Sequence, residues 1–393
     1  MNNIFYLSGQ YIRYHKAKLL TLIFAITLVT WLPIAIQSIV DQTAEQLLLR
    51  ADNTPLVIGA TGSPLELSLG SLYFQTQAPT TLDYQEVSKL EDTGLAAAIP
   101  LYYRFSAQGH PIVGTSPDYL VYRQLQFAKG RPAVLLGEAV LGANVAAELQ
   151  LDVGDFVISS PESVFDIAGI YPLKMAVVGI LKPAFSPDDQ AIFVDVKTSW
   201  VIQGLGHGHQ NLATADAAAQ ILKKEDNNIV ANASVRQYNE ITTDNIDSFH
   251  FHGSDTERPL SAIIPITKDS KSAALLIGRY QQERSDVQIV RSQRVISELL
   301  ETVFTVRNYI VIGIILVAIA TGVIALLVFL LSLRLRKGER FTLSRIGASR
   351  MQIRLLMATE IICVLFVSAC LAGLLILATE YYGVQLLQQL LVD

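Results

Sequence analysis

Four histidines fall into two close pairs, Gly-His-Gly-His at 206–209 and Phe-His-Phe-His-Gly at 249–253. In a β-strand, residues i and i+2 share a face. His207 with His209, and His250 with His252, would then each present two imidazoles on one side, with Asp255 close by as a carboxylate. Imidazole nitrogen suits zinc, copper and nickel, and zinc takes three or four such ligands. Zinc is therefore the expected ion for a site built from both pairs. A structural reading competes: Phe249 and Phe251 pack inward, His250 and His252 face water, and the 206–209 stretch is a Gly-rich loop. His209 and His250 lie 41 positions apart, so spacing alone does not bring the pairs together.

Other chemistry is sparse. Asp92-Thr93-Gly94 has the form of an aspartic protease motif, but no second copy exists. Asn232-Ala233-Ser234 is a glycosylation sequon, meaningful only in a eukaryotic secretory setting. No nucleophile stands beside an evident base. No G-x-x-x-x-G-K-[ST] loop occurs, so the chain is not expected to cradle nucleotide phosphates itself.

The elements that would position these residues are set by hydropathy. Hydrophobic residues make up 51% of the 393, and charged residues 17%, against ~25% in soluble domains. The deficit is concentrated in three uncharged runs, at 19–40, 308–333 and 361–379. At ~1.5 Å per residue, each is long enough to cross a ~30 Å bilayer core. The first is expected to be an anchor rather than a cleaved leader, since it exceeds the usual ~7–15-residue leader core and no A-x-A-like site follows. Cys363 and Cys370 both fall in the third run, so the polar segment must rely on an ordinary core.

Lys and Arg concentrate on the cytoplasmic side of membrane proteins. Residues 1–18 carry Arg13, Lys16 and Lys18 and no acid, and suit an amphipathic helix on the inner surface. The strip 334–354 holds seven basic residues against Glu339. Both should lie inside. Residues 41–307 hold 20 basic and 31 acidic residues and should lie outside, with the tail 380–393. The expected fold is an α-helical membrane protein of three spans with a large α+β extracytoplasmic domain. In order these are an N-terminal helix (1–18), a span (19–40), the outer domain (41–307), a span (308–333), a coupling segment (334–360), a span (361–379) and the tail.

Within the outer domain, short apolar runs bounded by Gly and Pro predict strands at 55–60, 133–137, 156–160, 174–181, 191–195 and 261–266. Helices are expected at 137–151, around 213–224, and over 286–307, the last an apolar-striped stalk running unbroken into the second span. In the strip, Gly338 is expected to break the helix leaving the bilayer, and Gly347-Ala348-Ser349 to form a tight corner.

The stretch ERFTLSRIGASRMQIRLLMATE resembles the segment between the second and third spans of MacB/FtsX/LolC-type permeases. The matching positions are Glu339, Gly347, Ala348, Ser349, Arg350, Ile353 and Glu360; Arg345 sits one place later than the family's basic residue, where this chain has Ser344. Residues 130–156 are similar to the family's periplasmic core at Gly130, Gly137, Leu141, Ala146, Leu149 and Gly154, and residues 178–195 at Val178, Gly179, Ile180, Asp188, Ile192 and Phe193. The resemblance implies a non-catalytic permease in a bacterial inner membrane, multi-pass, with its large domain in the periplasm. It implies that Glu339, Arg340, Arg345, Gly347 and Arg350 contact a separate cytoplasmic ABC ATPase, which alone binds ATP. A homodimer or pairing with a related permease is expected, with a periplasmic accessory protein as a further partner and no nucleic acid. The family carries a fourth span, and the 14 residues after Thr379 are too few and too polar to supply one. The chain is thus expected to be a three-span variant or incomplete. The competing class is a membrane-anchored extracytoplasmic ligand sensor or receptor, disfavoured because the inner strip is too short for an output domain. A third, an anchored extracytoplasmic enzyme, lacks visible site chemistry.

Overall fold

A computed structural model of the chain describes residues 16–74, 80–161, 172–208, 221–225, 228–231, 239–283, 286–335 and 337–390. Two units emerge: residues 50–296, and residues 1–49 with 297–393.

The strands of the first unit are, in chain order, β1 (Leu56–Ala60), β2 (Leu82–Asp83), β3 (Ala96–Ala107), β4 (His110–Thr115), β5 (Phe127–Gly130), β6 (Glu138–Leu141), β7 (Phe156–Ile158) and β8 (Lys174–Leu181). They continue with β9 (Ile192–Asp195), β10 (Gly206–Gly208), β11 (Ile221–Glu225), β12 (Asn228–Ala231), β13 (Phe249–Phe251), β14 (Pro259–Leu260), β15 (Ala262–Thr267) and β16 (Val287–Arg291). Ten build one mixed sheet, ordered β16-β1-β15-β3-β4-β9-β6-β8-β5 with β7 also on β8. The β4–β9 and β6–β8 pairs are parallel and the rest antiparallel. Strand β8 alternates half-buried and buried residues along its whole length, the period-two pattern its sequence announces. Trp200, Tyr102, Ile58, Leu90, Ile112 and Leu141 fill the core with essentially no exposure. The α+β class is as expected.

Several expected elements differ. The 133–137 run is loop, and the strand falls at β6. Glu138 explains this: its carboxylate accepts Arg131 Nη1 at 2.8 Å and the backbone N–H groups of Val134 and Leu135 at 3.0 and 3.1 Å, pinning the preceding loop. The helix expected over 137–151 is confined to Ala143–Leu149, because all four residues of β6 are buried and such a strand has no alternation to read. Residues 221–225 pair as a hairpin with 228–231 rather than ending a helix; the rest of that expected helix, 213–220, lies outside the described residues. The stalk helix does not begin at 286: Val287–Arg291 is an edge strand on β1, and the helix starts at Ser292. Asp92-Thr93-Gly94 is a helix end, with Thr93 Oγ1 donating to the Leu90 carbonyl at 2.6 Å.

Helices α1 (Lys16–Asp52), α2 (Ser292–Leu335), α3 (Lys337–Arg345) and α4 (Arg350–Leu390) supply the second unit. Three of them are long and apolar enough to cross a membrane, over Leu19–Asp52, Ser292–Leu331 and Arg350–Gly383. Helix α2, at 44 residues, is about 65 Å long, roughly twice the bilayer core. Residues 1–15, most of the expected N-terminal helix, lie outside the described residues. Polar side chains join α1 to α4: Trp31 Nε1 donates to Thr379 Oγ1 at 3.0 Å, and Thr27 and Ser368 each reach across to the other helix's backbone carbonyls at 3.4 Å. Small hydroxyl residues of this kind are what apolar helices use to associate where lipid offers no hydrophobic drive. Arg307 pairs with Asp41 in the same unit.

Candidate functional site

Strands β10 and β13 form a two-stranded antiparallel ribbon separate from the large sheet. Its register sets Gly206 opposite Phe251, His207 opposite His250, and Gly208 opposite Phe249. Directly opposed residues share a face, so the two histidines stand together and the phenylalanines point the other way. The glycines are required by that packing. A Cβ on Gly206 would lie 2.5 Å from the Phe251 ring, and one on Gly208 2.6 Å from the Phe249 ring. Phe251 stacks edge-on against Trp200 at 6.4 Å, and the Arg258 guanidinium sits 4.5 Å from the Phe251 centroid. The ribbon's underside is thus fastened to the core.

On the upper face a third ring joins the pair. The centroids of His207, His250 and His252 are 4.8, 4.9 and 5.0 Å apart, close to an equilateral triangle. One nitrogen from each lies within 4.8 Å of the others. His250 and His252 are exposed and His207 half-buried. His250 Nδ1 lies 3.1 Å from the Ser248 carbonyl. A proton on Nδ1, donated to that oxygen, leaves the Nε2 lone pair facing outward. The structure brings His207, His250 and His252 together; His209 lies outside the described residues. Asp255 does not join them. Its carboxylate, 77% exposed, is held by Arg258 Nη2 at 2.5 Å.

The basic strip folds as a helical corner. Helix α2 is described to Leu335 and α3 from Lys337, with Arg336 outside the described residues; Gly338, expected to break the helix leaving the bilayer, lies inside α3. Gly347 turns the chain with φ +97°, a conformation that favours glycine. Helix α4 then opens on a reciprocal cap: Ser349 N–H donates to Gln352 Oε1 at 2.9 Å, and Gln352 N–H to Ser349 Oγ at 3.2 Å. Arg345 is exposed and lies over the Phe341 ring at 4.8 Å; Arg350 and Arg354 are exposed as well. The backbone of Glu339 and Arg340 is in α3.

One cluster escapes sequence reasoning. Arg50, in the last turn of α1, is buried and bidentate to Asp188 at 2.5 and 2.9 Å. Its Nε donates to the Leu72 carbonyl at 2.7 Å, and the Tyr119 hydroxyl donates to Asp188 Oδ1 at 2.7 Å. Burial pushes the Asp188 carboxyl up, but the Arg50 charge and hydrogen bonds outweigh it and hold the group below the usual carboxylate range. Burial raises the Tyr119 phenol to about 12. The signal available beforehand was an isolated Arg at the end of an apolar helix, which names no partner.

Known proteins supply a family. The model of the MacB-like periplasmic core domain matches residues 19–233. Among solved structures, the chain is similar to the periplasmic region of MacB from Actinobacillus actinomycetemcomitans, at 10% identity and TM-score 0.35, covering 62% of this chain and 91% of that one. It is also similar to the extracellular domain of the noncanonic ABC-type transporter YknZ from Gram-positive bacteria, at 12% identity and TM-score 0.32, covering 60% of this chain and 98% of that one. No curated protein matches it. With more than half of its length matched by that model, the chain belongs to the family of the MacB-like periplasmic core domain.

Proposed function

We propose that this chain is the membrane subunit of an ABC-type transporter whose ATPase is a separate polypeptide. Family membership supports the transporter class. The coupling role is carried by one observation, the capped helical corner at 337–354 with Arg345 and Arg350 exposed. A rigid corner of this shape transmits a push where a loose loop would absorb it. Glu339, Arg340, Arg345, Gly347 and Arg350 form the contact with the ATPase, and the spans and the long helix α2 relay its motion to the domain outside. The subunit sits in the inner membrane with its large domain in the periplasm, as a homodimer or beside a related permease, and an accessory protein completes it on the outer side. Transition-metal handling enters this reading through the histidine ribbon alone.

Co-expression with a candidate ABC ATPase tests the coupling. The ATPase should co-purify with the chain, and Arg345→Glu combined with Arg350→Glu should abolish the complex. A complex that survives both charge reversals removes these arginines from the contact. In intact cells, a cysteine placed at 345 should resist an impermeant thiol reagent; labelling from outside would invert the topology.

A further inference from the structure

We propose that the β10–β13 ribbon binds one divalent transition-metal ion through His207, His250 and His252, and that a fourth coordination position stays open to an exchangeable ligand. Two features of the ribbon carry this. The register places His207 directly across from His250, and His252 follows two residues on, so three imidazoles project from one face. The opposite face is locked to the core by Phe251 on Trp200 and by rings lying where the Cβ atoms of Gly206 and Gly208 would be. The platform beneath the rings is therefore stiff.

The distances suit a site poised to close. Zinc–nitrogen bonds of ~2.0–2.1 Å in a tetrahedron put the ligand nitrogens about 3.3 Å apart. The nitrogens here lie within 4.8 Å of one another. Each needs to travel about 1 Å or less, a side-chain rotation that leaves the backbone in place. Proximity of Nδ1 of His250 to the Ser248 carbonyl favours the tautomer that offers Nε2 to a metal.

Ligand type sets the ion class. Among the described residues the site offers three imidazoles and no carboxylate, a set that selects zinc, copper or nickel over magnesium or calcium, which take oxygen. Asp255, three residues beyond His252, is paired with Arg258, whose guanidinium lies against Phe251. Structural zinc sites close with four protein ligands, whereas three-ligand sites keep a position for water or another donor. With three protein ligands from the described residues, the site leaves a position for an exchangeable one. The proposal does not depend on the coupling reading, because binding is measured without the ATPase.

Calorimetry of the full chain in detergent, titrated with zinc, tests it. The expected result is one zinc per chain, unaffected by excess magnesium. His250→Ala with His252→Ala, and separately His207→Ala, should each weaken binding by more than the ~10–100-fold that loss of an outer-shell partner costs. Metal-free thermal unfolding should not change in these variants, which separates lost ligands from lost fold. Cobalt substitution reads the geometry: added free imidazole should shift the four-coordinate cobalt spectrum. Unchanged zinc affinity in both variants, or displacement of zinc by equimolar magnesium, would overturn the site. A cobalt spectrum indifferent to imidazole would overturn the open position. Co-purification with an ATPase reports on the transporter reading separately.

Discussion

Asp188 is buried with its charge intact because Arg50 approaches it in a two-pronged contact and Tyr119 donates a third hydrogen bond. Removing one member of such a pair strands the other in a medium that cannot solvate it. Asp188→Asn should therefore cost ~3–5 kcal/mol, read as a fall in the unfolding temperature of the purified chain. Acid dependence follows from the sign of the shift. A carboxyl held below its ordinary pKa in the folded state stabilises the fold above that ordinary value, and the contribution is lost as pH falls through the lowered one. The native chain should lose stability on acidification over that window, and the Asn variant should show a flatter acid limb. Superimposable profiles would remove Asp188 from the account. The same reasoning explains why Arg123, with one buried guanidinium nitrogen that has no hydrogen-bond partner, is tolerated nearby: it lies over the Tyr119 and Tyr122 rings and adds to the field that keeps Asp188 ionised.

Among elements, the ribbon is the most sensitive to small changes. Gly206→Ala places a methyl 2.5 Å from the Phe251 ring, which is itself packed on Trp200. The ring must move, and overpacking of this kind costs ~1–3 kcal/mol. A lower unfolding temperature with altered tryptophan emission is the expected outcome; an unchanged spectrum would mean that the ring moves without disturbing Trp200. The ribbon also marks where sequence reading stops. That His250 and His252 lie opposite the phenylalanines follows from strand periodicity, yet nothing in the spacing predicts that His207 finds His250 across the intervening chain. The strand at Val287–Arg291 misleads for a different reason. Its buried residues, Val287 and Val290, are three apart, as on a helix, because the sheet edge covers the strand unevenly. Strand β8 is legible because its burial alternates without exception, and β6 is not because it is buried throughout. In the basic strip the corner at Gly347 is visible in sequence, whereas Gly338, expected to break the helix leaving the bilayer, lies within α3.

At the scale of the whole molecule, the ten-stranded sheet brings its own core and the long helices bring theirs. Residues 45–296 expressed alone should be soluble and unfold cooperatively. Trimming to 54–296 removes Arg50 and leaves Asp188 charged and unpaired, so the shorter fragment should unfold several degrees lower. Fragments of equal stability would show that the sheet does not need that contact. The membrane helices follow another rule. Their faces carry Ile315, Leu316, Ile319, Ile324 and Leu327 outward, and α1 and α4 are joined by a few hydroxyl and indole contacts beside a small apolar cluster of Leu19, Leu22, Ala325 and Val364.

The Arg50–Asp188 contact also bears on how the sequence can drift. Losing either side chain singly is severe, whereas replacing both with apolar residues of matching volume is often neutral or better in buried pairs. The two positions, 138 residues apart along the chain, are expected to change together. Divergence at this spot is expected to proceed by joint exchange, leaving descendants that carry both charges or neither.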